Sequence, residues 1–135
     1  WDTAGEERYF SVSKSFIRNA QAIFFLYNVA SKETFESLKD FWIKNAMEVA
    51  NPDILVYFLA TNVTDRDPQT GALCYQEEGQ DLATKHGWLF AEVSALKDIG
   101  IEQAAIDLAT QVMISGLPGR EGKAVWLLAS TVEII

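Results

Sequence analysis

The chain has 135 residues, enough for one domain with a core of its own. Its formal net charge of −8 argues against nonspecific binding to nucleic acid or to an anionic membrane surface, since neither rewards an acidic face. The 49% hydrophobic and 22% charged residues are globular values, and the single cysteine, Cys74, excludes an internal disulfide framework and fits a reducing cytosol.

Trp1-Asp2-Thr3-Ala4-Gly5-Glu6-Glu7-Arg8-Tyr9-Phe10 opens the chain. Asp-x-x-Gly is a phosphate-and-metal arrangement. The Asp2 carboxylate can hold a magnesium ion through water, and Gly5 lets its backbone N–H approach a terminal phosphate because no Cβ intervenes. An acidic turn after a strand is the bland alternative. Residues 6–20 are polar with scattered aromatics, and Phe10, Val12, Phe16 and Ile17 predict a short, irregular helix.

Ala22 to Val29 is a continuous apolar run, rich in aromatic and β-branched residues. It predicts a strand buried on both faces, hence part of a parallel sheet. Ser31 is a candidate N-cap. Phe35, Leu38, Trp42, Ala46 and Val49 then recur at helical spacing until Asn51-Pro52. Ile54 to Ala60 is a second buried strand, followed by a polar segment from Thr61 to Gly71. Gln76 to Lys85 reads as a helix with His86-Gly87 as its stop, and Leu89 to Val93 as a third strand. Ile101, Ala105, Leu108 and Val112 predict one face of a last helix, stopped near Gly116-Leu117-Pro118.

Alternating strands and helices predict a doubly wound α/β fold, in which ligands sit in loops beyond the strands' C-terminal ends. Those loops are 28–31, 61–67 and 94–97. The second holds Asn62-Val63-Thr64-Asp65, which is also an ordinary turn composition. The third holds Ser94-Ala95-Leu96 after Glu92-Val93. Gly116, Gly119, Gly122 and Lys123 imitate a phosphate loop, but a helix precedes them, Leu117 stands at the first Gly position and Ala124 at the last. They read as a helix stop and linker. His86 and Cys74 are isolated, which gives a metal site there little support. Residues 124–135 are apolar but too short to span a bilayer. An interaction segment and the product of an altered splice or reading frame both fit them.

The opening decapeptide resembles the third nucleotide motif and switch II segment of Rab-type small GTPases, usually W-D-T-A-G-Q-E-R-F. Asn62-Val63-Thr64-Asp65 resembles the family's guanine motif N-K-x-D, and Glu92-Val93-Ser94-Ala95-Leu96 its E-x-S-A-K. Glu78-Gly79, Ala83, Gly87 and Phe90 also fall at family spacing, so the resemblance covers residues 1 to about 113. It implies the C-terminal part of a P-loop NTPase-like doubly wound parallel sheet, with three parallel strands and flanking helices. Residues 1–115 are then a partial GTPase domain and 116–135 a divergent tail. The family's sheet order places its first strand beside Ala22–Val29, so an open apolar edge is expected there, with poor solubility or oligomerisation as the consequence.

By the same resemblance, nucleotide binding falls to Asp2, Ala4, Gly5, Asn62, Val63, Asp65, Ser94, Ala95 and Leu96, and water-mediated magnesium to Asp2. Asp65 accepts from the guanine N1–H and N2–H₂ edge, Asn62 ties neighbouring loops, and the Ala95 N–H meets O6. GTP or GDP with Mg²⁺ is implied for the intact domain, and none for a chain without the phosphate loop and switch I. The implied function is a switch in vesicle-mediated protein transport that hydrolyses GTP slowly. Its partners are effectors and exchange or activating proteins met through switch II. The implied location is cytoplasmic, with intact members on endomembrane surfaces. Prenylation cysteines and a polybasic stretch are absent from the tail, so no stable membrane anchor is expected in this chain. Three departures bear on activity. Val63 and Leu96 stand where the family has base-covering lysines, and Glu6 stands at the catalytic Gln, which orients the attacking water. An ionised carboxylate cannot donate a hydrogen bond, so hydrolysis suffers more than binding. Enzyme, pseudo-GTPase and truncated interaction module therefore all stay open.

Overall fold

The two long apolar runs become neighbouring strands. In a computed structural model, which describes residues 8, 10–65, 76–115 and 128–129, β1 (Ala22–Asn28) pairs parallel to β2 (Leu55–Thr61) from Ala22↔Leu55 to Asn28↔Thr61. β3 (Leu89–Glu92) lies parallel to β2 on the other side, from Tyr57↔Leu89 to Ala60↔Glu92. This is the expected partial P-loop NTPase-like sheet of three parallel strands with flanking helices. Side chains alternate across it. Ile23, Phe25, Tyr27, Val56, Phe58 and Ala60 enter one core, while Ala22, Phe24, Tyr57 and Leu59 enter another. Both faces are covered, which is why neither run shows a polar alternate residue.

The first core is closed by α1 (Phe10–Arg18), α2 (Lys32–Ser37), α3 (Ile43–Val49) and α4 (Gln76–His86). Contrary to the irregular helix expected over residues 6–20, α1 is a regular nine-residue helix burying Phe10, Ser13 and Ile17. Between α2 and α3 the helix widens into a π turn at Leu38–Trp42, where the Ile43 N–H donates to the Leu38 carbonyl. The extra residue in that turn lets the adjacent Trp42 and Ile43 both reach the interior. Trp42 meets Phe10 and Phe41 edge-on, with ring centroids 5.6 and 5.5 Å away. Ser31 precedes α2 in extended conformation as an N-cap should, but its side chain makes no cap hydrogen bond. Thr34 ties this turn instead. Its hydroxyl accepts from the Asn28 N–H (2.9 Å) and donates to the Ser31 carbonyl (2.7 Å).

The second core is closed by α5 (Ile101–Ile114). Its buried face is Ala104, Leu108 and the half-buried Val112. The expectation that Ile101 joins this face is corrected: Ile101 is exposed, because the helix enters over Gly100 and Ala104 is the first residue to reach the sheet.

The edge of β1, expected to be open, is met over two residue pairs. β4 (Leu128–Ala129) runs parallel to it at Phe24↔Leu128 and Phe25↔Ala129, giving the order β3-β2-β1-β4 among the described residues. No helix among the described residues is long and apolar enough to cross a membrane.

Tyr57 joins α5 through its hydroxyl, which donates to Asp107 Oδ2 at 3.4 Å, while Gln103 Nε2 donates to Oδ1 at 2.6 Å. Burial raises the Tyr57 pKa above its usual value of 10.0, and the Asp107 charge and hydrogen bond raise it further. A raised folded-state pKa means the native state holds this proton more tightly than the unfolded chain. The stabilisation is complete below the unfolded pKa and is lost as pH rises through the folded one. Thermal melts from neutral to strongly alkaline pH are expected to show a steeper fall in Tm for the parent chain than for Tyr57→Phe. Parallel Tm curves across that range would refute this link.

Candidate functional site

The strands end level with one another. Asn28 pairs with Thr61, and Ala60 with Glu92, so the loops that follow emerge side by side. Each is stiffened locally. After β1, Asn28 Oδ1 accepts from the Ala30 N–H at 2.8 Å, an Asx turn. After β2, Asn62 adopts a left-handed φ of 58°, a conformation that Asn tolerates better than most residues. That reversal starts a 3₁₀ turn at Val63–Asp65, closed by the Asp65 N–H on the Asn62 carbonyl (2.9 Å). After β3, Ser94 and Ile99 form an antiparallel bridge that folds the intervening residues into a short, tight loop. Asp98 and Gly100 take positive φ there, 53° and 70°. A Cβ on Gly100 would lie 3.2 Å from the Glu92 carbonyl oxygen, so the loop's return needs glycine twice over, for its dihedral and for its space.

Two contacts hold the second and third loops together. The Val63 N–H donates to the Val93 carbonyl (3.4 Å), and the Thr64 and Ser94 hydroxyls lie 3.4 Å apart. Ser94 is buried, so its hydroxyl works as an internal brace. Asp65 and Ala95 stand exposed on either side of this seam. Thr64 also donates to Asp65 Oδ1 (3.3 Å), which steadies the carboxylate from its own turn.

The structure therefore brings together Asn62, Val63, Asp65, Ser94, Ala95 and Leu96 at one end of the sheet. Their postures differ. Val63 is half-buried and packs against the first core, whereas Leu96 is 79% exposed. Of the two apolar residues that stand where the resembling family has lysines, only Leu96 is exposed. Asp2, Ala4, Gly5 and Glu6 lie outside the described residues. Thr64, Thr34 and Gly100 went unassigned from sequence. Thr64 sits inside a recognisable turn motif, but its bond to a residue thirty positions away carries no local signal.

Glu78, at the start of α4, takes an ion pair from Lys32 (3.3 Å), a surface contact worth at most about 1 kcal/mol. Among the described residues no group of three His, Cys, Asp or Glu is placed to hold a metal.

The model of the Ras family matches residues 1–114. Ras-related protein Rab-8A of Gallus gallus is 32% identical over 112 residues, 83% of this chain and 52% of that protein. Ras-related proteins RABC1 and RABC2a of Arabidopsis thaliana are 32% and 36% identical over 113 residues, in each case 84% of this chain and 52% and 53% of theirs. The chain spans about half the length of the curated relatives it matches. With a family model matched across most of its length, and with its strands and loops in that order, the chain belongs to the Ras family and is similar to its Rab members.

Proposed function

We propose that the chain is the base-recognition half of a Rab-like small GTPase, which binds GTP with Mg²⁺ in the intact domain and acts as a switch in vesicle-mediated protein transport. The observation that carries this is the seam between the Asn62–Asp65 turn and the Ser94–Leu96 loop, which offers a carboxylate and an exposed backbone segment side by side. Asp65 would accept from the guanine N1–H and N2–H₂ edge, and the Ala95 N–H would donate to O6. Adenine presents neither pattern. Effectors and regulators would meet the molecule through the segment around α1. Asp2 and Gly5 would serve magnesium and the terminal phosphate. Glu6 is the weak point for turnover, because a carboxylate there places negative charge beside the γ-phosphate. In a protein completed with a phosphate loop, Glu6→Gln is expected to raise the single-turnover rate of GTP hydrolysis; an equal or lower rate would place the defect elsewhere.

These 135 residues contain no G-x-x-x-x-G-K-[ST] sequence, and an Asp2 carboxylate without bound metal repels phosphate, so affinity is expected to come chiefly from the base. Hydrogen bonds contribute roughly 0.5–1.5 kcal/mol each, or about 1.5–3 where one partner is charged. Two or three of them work against an association cost of at least ~4 kcal/mol. Cover from Val63 and Leu96 adds little, because one is turned into the core and the other stands in water. The expected dissociation constant for GTP is on the order of millimolar or weaker. The test is a titration with a fluorescent GTP analogue in magnesium buffer, competed with unlabelled GTP and ATP. Weak binding that prefers guanine and is lost in Asp65→Ala supports the proposal. Equal competition by ATP, or binding indifferent to Asp65, would remove the base-recognition reading. Micromolar binding would show that the chain holds phosphate by means other than a phosphate loop.

A further inference from the structure

The peptide unit that carries the Ala95 N–H is aimed by its neighbours. Ser94 spends both of its backbone groups on Ile99. Its N–H donates to the Ile99 carbonyl at 3.0 Å, and its carbonyl accepts from the Ile99 N–H at 2.9 Å. A trans peptide is planar, so its C=O and N–H point in opposite directions. The Ser94 carbonyl points to Ile99, so the Ala95 N–H on the same peptide points away from it. The preceding peptide shows what lies on that far side. Its N–H, on Ser94, points to Ile99, and its carbonyl, on Val93, accepts from the Val63 N–H at 3.4 Å. The Ala95 N–H and the Val93 carbonyl therefore leave the chain on the same side, the side of the Asn62–Asp65 turn. Val63 takes the carbonyl, while among the described residues no hydrogen bond takes the Ala95 N–H.

Ile99 reaches Ser94 because of the residue before it. The chain reverses over Ala95–Asp98, closed by the Asp98 N–H on the Ala95 carbonyl at 3.3 Å. Asp98 then takes a φ of 53°, and the next N–H, that of Ile99, returns to Ser94. Asp and Asn visit this conformation more readily than most residues and Gly takes it freely, whereas a β-branched residue there is an outlier. Asp98 is exposed and belongs to neither core, so a substitution acts on the loop through its dihedral and not through packing. We propose that Asp98 is a positioning residue for base recognition: its left-handed turn aims the Ala95 N–H, by way of Ile99 and the Ser94 carbonyl, at the O6 of a guanine held by Asp65. This rests on the base-recognition reading above and adds to it the residue that orients the O6 donor. Asp98 itself touches no ligand. Its effect is selective. Losing the turn frees the Ala95 peptide and weakens the O6 contact. The Asp65 contact with the N1–H and N2–H₂ edge persists, because Asp65 belongs to a separate turn closed on Asn62.

Two analogues of guanosine monophosphate separate the contacts. 6-Thioguanosine monophosphate has sulfur, a weak acceptor, in place of O6 and keeps the donors of the other edge. Inosine monophosphate keeps O6 and lacks the amino group. Relative affinities are read from amide chemical-shift titrations of the full chain, in mildly acidic buffer where the thio analogue keeps its N1–H. The parent chain is expected to favour guanosine monophosphate about threefold over the thio analogue and about tenfold over the inosine nucleotide. Asp98→Val is expected to lose the first preference and keep the second. Asp98→Asn and Asp98→Gly, which hold the left-handed turn, are expected to keep both. If Asp98→Val does not fold, Asp98→Ala, a milder violation of the same dihedral, takes its place. A parent chain that discriminates against inosine but not against the thio analogue would overturn the positioning role and leave recognition by Asp65 standing. So would a Val variant that keeps both preferences, a fall in both together, or loss of the first in Asp98→Asn. A parent chain with neither preference would remove the base-recognition reading itself, and this inference with it.

Discussion

Trp42→Ala is expected to cost about 3–5 kcal/mol, the usual range for truncating a buried large aromatic. Trp42 is 1% exposed and stands at the end of the π turn, where it meets Phe10 of α1 and the neighbouring Phe41. Its removal opens a cavity between α1 and the α2–α3 segment. A loss of this size is a large share of a typical domain stability of about 5–15 kcal/mol. Trp42→Phe should cost much less than Trp42→Ala. It keeps a ring in the site, and the indole N–H it deletes is buried with no hydrogen-bond partner, so no bond is lost with it. Urea unfolding followed by far-UV circular dichroism measures both, and it avoids relying on the tryptophan being removed. Equal costs for the two substitutions would mean that ring packing is not what anchors the turn.

Gly79→Ala is expected to destabilise the fold by about 1–3 kcal/mol, although Ala is the better helix former by about 1 kcal/mol. Gly79 lies in α4 against the sheet. A Cβ added there collides with the Tyr27 hydroxyl oxygen, comes within 2.8 Å of Phe90 Cε2, and lies 3.1 Å from Tyr27 Cζ. Tyr27 cannot swing aside. It is fully buried and packs on Phe35 and Phe58, with centroids 5.0 and 5.2 Å away. The tightest clash is with the hydroxyl oxygen, so Tyr27→Phe should relieve part of the strain, leaving the contact with Phe90. A double-mutant cycle on Gly79→Ala and Tyr27→Phe is expected to show a favourable coupling of roughly 1 kcal/mol or more. Additive effects would show that α4 shifts as a body instead. Such a shift would also disturb the Lys32–Glu78 pair at the start of the helix.

The local elements were legible because their causes are local. Two apolar runs too continuous for a half-exposed strand predicted β1 and β2, and they form within a residue of the expected bounds. Asn51 and Gly87 stop helices where expected, the first through an Asx turn to the Asp53 N–H (3.0 Å), the second through a left-handed φ of 71°. The motif order Asn62–Asp65, then Glu92–Leu96, was readable for the same reason: each is a short run with its own turn chemistry. Where expectation failed, the deciding contact was distant. Ile101 fits a helical period with Leu108, yet it is Ala104 that faces the sheet, because the angle of entry is set by Gly100 packing on β3. The π turn shifts register after Leu38 so that Trp42 and Ile43 share the interior, which a fixed helical period does not anticipate.

By itself the sequence determined the alternation of strands and helices, the burial of β1 and β2 on both faces, and the turn residues of the loops after β2 and β3. Those follow from hydrophobic period, from turn residues and from the chemistry of single side chains, all carried within a few positions. Tertiary structure alone decided which side of the sheet each helix covers, that Thr64 and Ser94 brace the two loops, that Val63 turns into the core while Leu96 stands out, and that Leu128–Ala129 meets the edge of β1. The Thr64–Ser94 and β1–β4 contacts join residues thirty and more than a hundred positions apart. Such pairings are chosen by competition among all the surfaces a folded chain presents, and no short stretch of sequence records that outcome.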